Sequence, residues 1–206
     1  MSKHSIAIII LAAGASRRMG QPKQLLSYRG QTLLSHVIQC ALASSCSSVI
    51  IVLGAHSSKI APTIEQFSIE IIINSDWHQG VSSSIRCGLN YLREKSIGGV
   101  IFLTCDQPFI STEIIERLIR LYDQSNQPII ASQYGKIVGI PCLFTCSVYP
   151  ELMQVQGDSG AKSIIKKNRS RIATVEFPRG AIDLDTPADY QQFIREQSST
   201  IGSNPI

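Results

Sequence analysis

Apolar runs alternate with amphipathic stretches along most of the chain. Residues 6–11 form an unbroken apolar run, Ile-Ala-Ile-Ile-Ile-Leu, which reads as a strand of a parallel sheet buried on both faces. Shorter runs predict strands over 49–53, 69–73, 100–103 and 128–131. Between them, apolar residues fall three and four apart, the spacing of a helix with one core-facing stripe. Over 32–43, Leu33, Leu34, Val37, Ile38 and Ala41 share a face; over 112–122, Ile114, Ile115, Leu118, Ile119 and Tyr122 do. Further helices are predicted over 58–67, with Pro62 near the first turn, and over 82–92. Strand and helix in alternation predict βαβ units and an α/β fold built on a mostly parallel sheet.

The C-terminal third is less regular. Residues 137–145, interrupted by Gly139 and Pro141, suggest short strands; 160–167 reads as a helix and 172–175 as a strand. Thr186-Pro187 opens a last helix, with proline at its favoured first position. Beyond 197 the chain turns polar. No repeat, linker or break in composition divides it, so the expectation is one domain over 1–197 and a polar tail over 198–206.

Composition narrows the function classes. The 206 residues are 44% hydrophobic and 17% charged, ordinary for a globular chain and unlike a disordered one. A net charge of +4 suits a small anionic ligand, but it is too mild and dispersed to argue for nucleic acid. Cysteines stand at 40, 46, 87, 105, 142 and 146 with no C-x-x-C pair, which points to reduced thiols in a cytoplasmic protein rather than a disulfide framework or zinc site. Lys3, the apolar run and Ala13-Gly14-Ala15 faintly imitate a secretory signal, but cleavage there would remove the first strand. No stretch has the length of a membrane span.

The candidate chemistry starts where the first strand ends. Residues 12–23 read Ala-Ala-Gly-Ala-Ser-Arg-Arg-Met-Gly-Gln-Pro-Lys. Small residues let a ligand approach the backbone, consecutive N–H groups can cradle an anion, and Arg17, Arg18 and Lys23 add positive charge. Two familiar phosphate loops are excluded. Five residues separate Gly14 from Gly20 and Gln21 follows, so the P-loop spacing fails. Ser16 stands where the dinucleotide fingerprint needs its second glycine.

Other polar groups fall at predicted strand ends, where open α/β sheets bind ligands. Asp106, followed by Gln107-Pro108, could hold Mg²⁺, which takes one or two carboxylates plus substrate phosphates, or could serve as a turn residue. Asp183 and Asp185 share a face at strand-like spacing, and Asp185 or Thr186 could cap the last helix. The segment 74–84, from Asn74 through Trp77 and Gly80 to Ser82, Ser83 and Ser84, is rich in short hydrogen-bonding groups. The serines could satisfy a helix start or meet a nucleobase edge, and Trp77 could be lid or core. His36 and His56 are expected to be solvated at helix borders, and Lys166, Lys167, Arg169 and Arg171 to be a solvated helix end.

Taken together these residues resemble the MobA-like nucleotidyltransferases. The family's Leu-Ala-Ala/Gly-Gly-x-Ser-x-Arg-Met-Gly-x-x-Lys motif is met at every fixed position from Leu11 to Lys23. Within that family the chain is most similar to the molybdenum cofactor cytidylyltransferases, through Ala12-Ala13-Gly14, Asn74 with Trp77 and Gly80, the serines 82–84, Gly88, Cys105-Asp106-Gln107-Pro108, Gly139-Ile140-Pro141, Gly157-Asp158-Ser159-Gly160-Ala161 and Asp183-Leu184-Asp185-Thr186-Pro187.

The resemblance implies a doubly wound, three-layer, Rossmann-like fold and Mg²⁺-dependent transfer of CMP from CTP to the terminal phosphate of molybdopterin cofactor. It implies catalytic roles for Arg18, Lys23 and Asp106, and a nucleotide site of Leu11, Ala12, Ala13, Gly14, Ser16, Arg18, Lys23, Gly80, Ser82, Ser83 and Ser84. Asp106 and Asp185 become the metal ligands. Guanylyl-transferring relatives have Gly where Ala13 stands, so the methyl group there is expected to favour a pyrimidine. Two alternatives accompany this reading. One is cytidylyl transfer to a sugar or polyol phosphate, as in the methylerythritol-phosphate cytidylyltransferases, whose Asp-Ala-Ala-Arg-Pro segment is replaced here by Asp106-Gln107-Pro108. The other is a non-catalytic chaperone delivering cofactor to a molybdoenzyme; retention of Arg18, Lys23 and Asp106 favours catalysis.

Overall fold

The computed structural model describes residues 5–201, with side chains through 197. Its strands are β1 (Ile6–Ala12), β2 (Ser27–Tyr28), β3 (Gln31–Thr32), β4 (Ser48–Leu53), β5 (Glu70–Ile73), β6 (Gly99–Thr104), β7 (Ile129–Tyr134), β8 (Ile137–Thr145) and β9 (Ile172–Glu176). Its α-helices are α1 (Leu33–Leu42), α2 (Ser57–Ile60), α3 (Val81–Leu92), α4 (Thr112–Gln124), α5 (Tyr149–Met153), α6 (Gly160–Lys167) and α7 (Pro187–Ile201).

The apolar run of β1 is central because both of its edges are used. It pairs in parallel with β4 on one side and β6 on the other. The seven-stranded sheet has the order β5-β4-β1-β6-β8-β7-β9. Within this sheet, as described, β8 alone opposes its neighbours, antiparallel to both β6 and β7. From β1 the chain winds outward through β4 to β5, then returns to place β6 on the other side of β1. The winding therefore reverses between β1 and β6, and the crevice at their carboxyl ends is where such sheets bind ligands. The opening loop leaves β1 there, and Asp106 follows β6.

Strand alternation divides the core into two layers. Ile6, Ile8, Ile10 and Ala12 pack with Val37, Ile38, Ile114 and Leu118 on the side of α1 and α4. Ala7, Ile9, Leu11 and Ala13 face α3 and α6, meeting Ile85, Leu89, Ile164 and Ile165. Ile8, Ile9 and Ile10 have no exposed surface, and burying each such side chain is worth roughly 1.5–3 kcal/mol. Gly88 lets α3 close onto β1, since a Cβ there would lie 2.9 Å from Ile9 Cδ1. Helices cover both faces, giving the three-layer, doubly wound arrangement. A third cluster joins Met19, Leu26, Tyr28 and Leu33 to Leu184 and Phe193, fastening the opening loop to the start of α7.

Several elements depart from expectation. The helix expected over 58–67 is one turn, α2, followed by a 3-10 turn at Ala61–Thr63; Pro62 lacks the N–H that a continuing helix would need. The short strands expected over 137–145 are one strand, with the irregularity taken up by a register shift at Ala131/Ser132. The β2–β3 hairpin was not anticipated. Its turn residues Arg29 and Gly30 have φ of 49° and 79°, as a two-residue primed turn requires. Of the expected tail 198–206, the backbone is helical through Ile201 and 202–206 lie outside the described residues. No helix of the described residues is long and apolar enough to cross a membrane.

Candidate active site

Four successive carbonyls of the opening loop turn into the protein. Gln24, 1% exposed, donates from Nε2 to Ala12 O at 2.7 Å and to Gly14 O at 3.1 Å. Ala55 N donates to Ala13 O at 3.0 Å, and His56 Nε2 meets Ala15 O at 3.2 Å. With these acceptors engaged, the face toward the cleft is cleared of backbone oxygen, as an anion cradle needs. A Cβ at Gly14 would meet no atom within 4 Å, so the space above it is open to a ligand. Ser16 takes a left-handed φ of 52°, and its Oγ accepts from Lys23 N at 3.1 Å, closing the loop at its base.

Lys23 Nζ stands between two carboxylates, 2.7 Å from Asp106 Oδ2 and 3.2 Å from Asp185 Oδ1. Arg18 Nη2 lies 2.9 Å from Asp185 Oδ2. Burial alone would lower the Lys23 pKa, but Asp106, with Asp185 beyond it, carries it above the ordinary lysine value. Conversely, burial would raise the Asp106 carboxyl, and the Lys23 ammonium outweighs this and holds it below the usual range. Asp183 is pushed up to about 6, by burial first and then by the like charges of Asp106 and Asp185.

Two carboxylates converging on one cation, with no cluster of three His, Cys, Asp or Glu ligands among the described residues, is a donor set for an ion completed by substrate phosphates. It fits a hard, oxygen-liganded divalent ion rather than zinc.

Lys23 and Asp106 line a cavity of about 390 Å³ in the β1/β6 crevice. Of the residues singled out from sequence, Leu11, Ala12, Ala13, Gly14, Ser16, Lys23, Gly80, Ser84 and Asp106 line it. Arg18 and Asp185 do not line it; Asp185 pairs with the lining residue Lys23, and Arg18 pairs with Asp185. Ser82 and Ser83 do not line it: the Ser82 hydroxyl donates to Gly157 O and that of Ser83 to Gly80 O at 2.8 Å. Asn74, 5% exposed, donates to Ser83 Oγ and Ser84 Oγ at 2.8 and 3.1 Å, so this polar stretch braces the α3 terminus. Trp77 is both wall and packing, lining the cavity and resting on the α3-side core. Thr104, His78 and Asp158 also line the cavity; the sequence alone assigns none of them a role, although Asp158 belongs to the Gly157–Ala161 segment of the resemblance and His78 to the polar segment 74–84.

The weaker candidates lie elsewhere. His36 sits within α1 rather than solvated at its border, its Nε2 2.9 Å from Ile110 O and its ring edge-on to Tyr28. Arg171 pairs with Glu151 at 2.9 Å, while Lys166 and Lys167 are exposed at the end of α6. The six cysteines are free; Cys105 and Cys142 are buried and Cys146 is exposed.

Residues 8–172 match the MobA-like NTP transferase domain. The chain is 30% identical to nicotine blue oxidoreductase of Paenarthrobacter nicotinovorans over 77% of its own length and 80% of that protein. It is 28% identical to molybdenum cofactor cytidylyltransferase of Escherichia coli strain K12 over 90% of its length and 94% of that protein. Among solved structures, Rv0371c of Mycobacterium tuberculosis H37Rv in complex with manganese superposes with a TM-score of 0.77 at 26% identity, over 93% of this chain and 98% of that one.

Proposed function

As the chain belongs to the MobA-like NTP transferase family and is a nucleotidyltransferase, we propose that it transfers CMP from CTP to the terminal phosphate of molybdopterin cofactor. The observation that carries this reading is the crossed set of Arg18, Lys23, Asp106 and Asp185 beside the Ala12–Gly14 floor of the cavity. Cations for a triphosphate and carboxylates for its metal meet at one point. The similarity to the Escherichia coli cytidylyltransferase supports the choice of acceptor. The nicotine blue relative shows that names in this group extend to redox chemistry, as one fold can host several activities; the cation–carboxylate cluster favours nucleotidyl transfer here.

In this reading the loop from Leu11 to Ser16 holds the triphosphate, Arg18 and Lys23 neutralise its charge, and Ala13 narrows the space beside the base. Gly80 and Ser84 border the nucleotide, while Ser82 and Ser83 hold the wall. Mg²⁺ between Asp106 and Asp185 would supply Lewis-acid charge at the phosphates. A terminal phosphate oxygen of the acceptor forms the new bond to the α-phosphorus as the bond to the bridging β-phosphate oxygen breaks, and pyrophosphate leaves. Such transfer depends on positioning and charge stabilisation rather than on a protein nucleophile, and the role of Lys23 in this reading is to stabilise charge developing on the phosphates. Free cysteines fit a reducing, cytoplasmic setting, and one domain over 1–197 suffices for the site. The product would pass to a recipient molybdoenzyme.

The test is pyrophosphate release with Mg²⁺, each NTP in turn, and either molybdopterin cofactor or methylerythritol phosphate. Release with CTP and molybdopterin is expected. Turnover only with the polyol phosphate would replace the acceptor, and turnover with GTP but not CTP would replace the base. Tight cofactor binding without turnover for any pair would leave the chaperone reading.

A further inference from the structure

The segment 155–160, between α5 and α6, is seated on the amino end of α3 by a specific set of contacts. Ser82 donates to Gly157 O from both its backbone N and its hydroxyl, and Arg86 Nη1 donates to Val155 O at 2.6 Å. Glycines permit the close approach. Gly80 has φ of 93°, and a Cβ there would fall 2.5 Å from Gly157 C and 2.6 Å from Asp158 Oδ1. Gly160 has φ of 47°, and its Cβ would fall 2.6 Å from Val81 Cγ1.

The effect is to bring a carboxylate from a distant part of the chain into the nucleotide cleft. Asp158 shares the cavity with Ala13, Gly14, Lys23 and Asp106. The two carboxylates lining the cavity are differently placed. Asp106 is neutralised by Lys23, whereas Asp158 makes no hydrogen bond or ion pair with any described side chain. An ionised carboxylate only accepts hydrogen bonds, and it would repel a phosphate. Its side chain is exposed and so open to accept from an N–H or O–H of a ligand in the cavity, at a part of the ligand other than the triphosphate. It lies against Gly80 and lines the cavity together with Trp77 and His78.

Building on the nucleotidyltransferase reading above, we propose that Asp158 is a specificity-determining residue that accepts a hydrogen bond from the exocyclic amino group of the nucleobase. Cytosine presents an N4 amino group where uracil presents a carbonyl oxygen. A carboxylate rewards the first and repels the second, and a site built to hydrogen-bond one group discriminates strongly against an analogue lacking it. Ala13 and Asp158 then divide the selection: the methyl group limits base size, and the carboxylate demands an amino group. The competing role for an acid at this place is to favour the N-terminus of α3, which would affect stability and leave base choice untouched.

The test compares the full chain with Asp158→Asn and Asp158→Ala. Kd is read from quenching of Trp77, the single tryptophan, alongside kcat/KM with Mg²⁺. The pair CTP and UTP reports on a cytidylyl enzyme; GTP and ITP, which differ by the amino group alone, report on a guanylyl one. Asp158→Asn, whose amide can donate to a carbonyl, is expected to reduce the preference for the amino base at least tenfold, mainly by improving the amino-free nucleotide. Asp158→Ala is expected to lose preference mainly by weakening the amino base. Thermal unfolding checks that both variants fold. If both keep the wild-type ratio in Kd and kcat/KM for whichever pair the enzyme uses, the proposal is overturned, even where thermal stability shifts. A wild type that prefers GTP would refute the CTP reading and leave Asp158 to be judged on GTP and ITP.

Discussion

Replacing Lys23 with methionine removes an ammonium while keeping the length of the side chain, and it separates the structural from the catalytic part of the cluster. Lys23 neutralises Asp106 and Asp185 with side chains 19%, 20% and 33% exposed. Breaking a fully buried pair costs about 3–5 kcal/mol and an exposed one about 0.2–1 kcal/mol. The partial exposure here places Lys23→Met at about 1–3 kcal/mol, or roughly 3–10 °C in Tm for a chain of this size.

The sign with pH follows from the shifts. Lys23 holds the Asp106 carboxyl low, so its stabilisation is fully present above the ordinary carboxylate pKa and is lost as pH falls through the depressed one. The variant should be less stable than wild type at pH 7, and the gap should narrow as pH falls below the ordinary carboxylate range. Without the ammonium, the two carboxylates are free to take a divalent ion, so Mn²⁺ alone should bind Lys23→Met more tightly than wild type and recover much of the lost Tm. Turnover with metal and nucleotide should still fall by about 10²–10³ in kcat, the usual cost of removing one preorganised charge. Mn²⁺ binding followed by electron paramagnetic resonance, with thermal unfolding at pH 3 and 7, checks the set. Equal or weaker Mn²⁺ affinity in the variant would refute the idea that lysine and metal compete for the same carboxylates.

Three further outcomes are expected. Asp183, raised to about 6 by burial, Asp106 and Asp185, favours its protonated form in the folded state, so it costs stability as pH rises from about 4 through 6. Asp183→Asn should then raise Tm at pH 8 and leave it unchanged at pH 3, by at most about 1 kcal/mol because the side chain, though crowded by neighbouring groups, still meets solvent that screens it; thermal melts across pH measure it. Gln24→Ala should destabilise by about 1–3 kcal/mol by leaving the carbonyls of Ala12 and Gly14 unpaired, and should weaken NTP binding in titration calorimetry with Mg²⁺ present. Ala13→Gly should shift the kcat/KM ratio from CTP toward GTP by about tenfold, a methyl group in a pocket being worth roughly 1–3 kcal/mol.

The fold was most legible where local pattern and burial coincide. The run at 6–11 is apolar at every position because β1 is flanked on both edges and covered on both faces, and the α4 stripe at Ile114, Ile115, Leu118 and Ile119 is the face that meets the sheet. Pattern does not carry direction, so the reversal of β8 between β6 and β7 was hidden. Spacing could not show that Pro62 ends a helix instead of entering one. The opening loop was recognisable because its chemistry is contiguous. What completes it is not: Lys23 meets Asp106 and Asp185 across 83 and 162 residues, Gln24 acts through backbone carbonyls, and Asp158 enters the cleft only because glycines let two loops touch. The serines at 82–84 show the converse. Their composition left a helix start and a base contact both open, and two of the three hydroxyls donate to backbone oxygens.

The central claim is that the α-phosphorus of CTP is attacked and the nucleotidyl unit retained on the acceptor. Incubating the protein with Mg²⁺, molybdopterin cofactor and CTP labelled at either the α- or the γ-phosphate decides it. Label from the α-position should appear in the cofactor product and label from the γ-position in pyrophosphate, both disappearing in Asp106→Ala. Transfer of γ-label to the acceptor, or no movement of α-label in a protein that binds both ligands, would contradict the account.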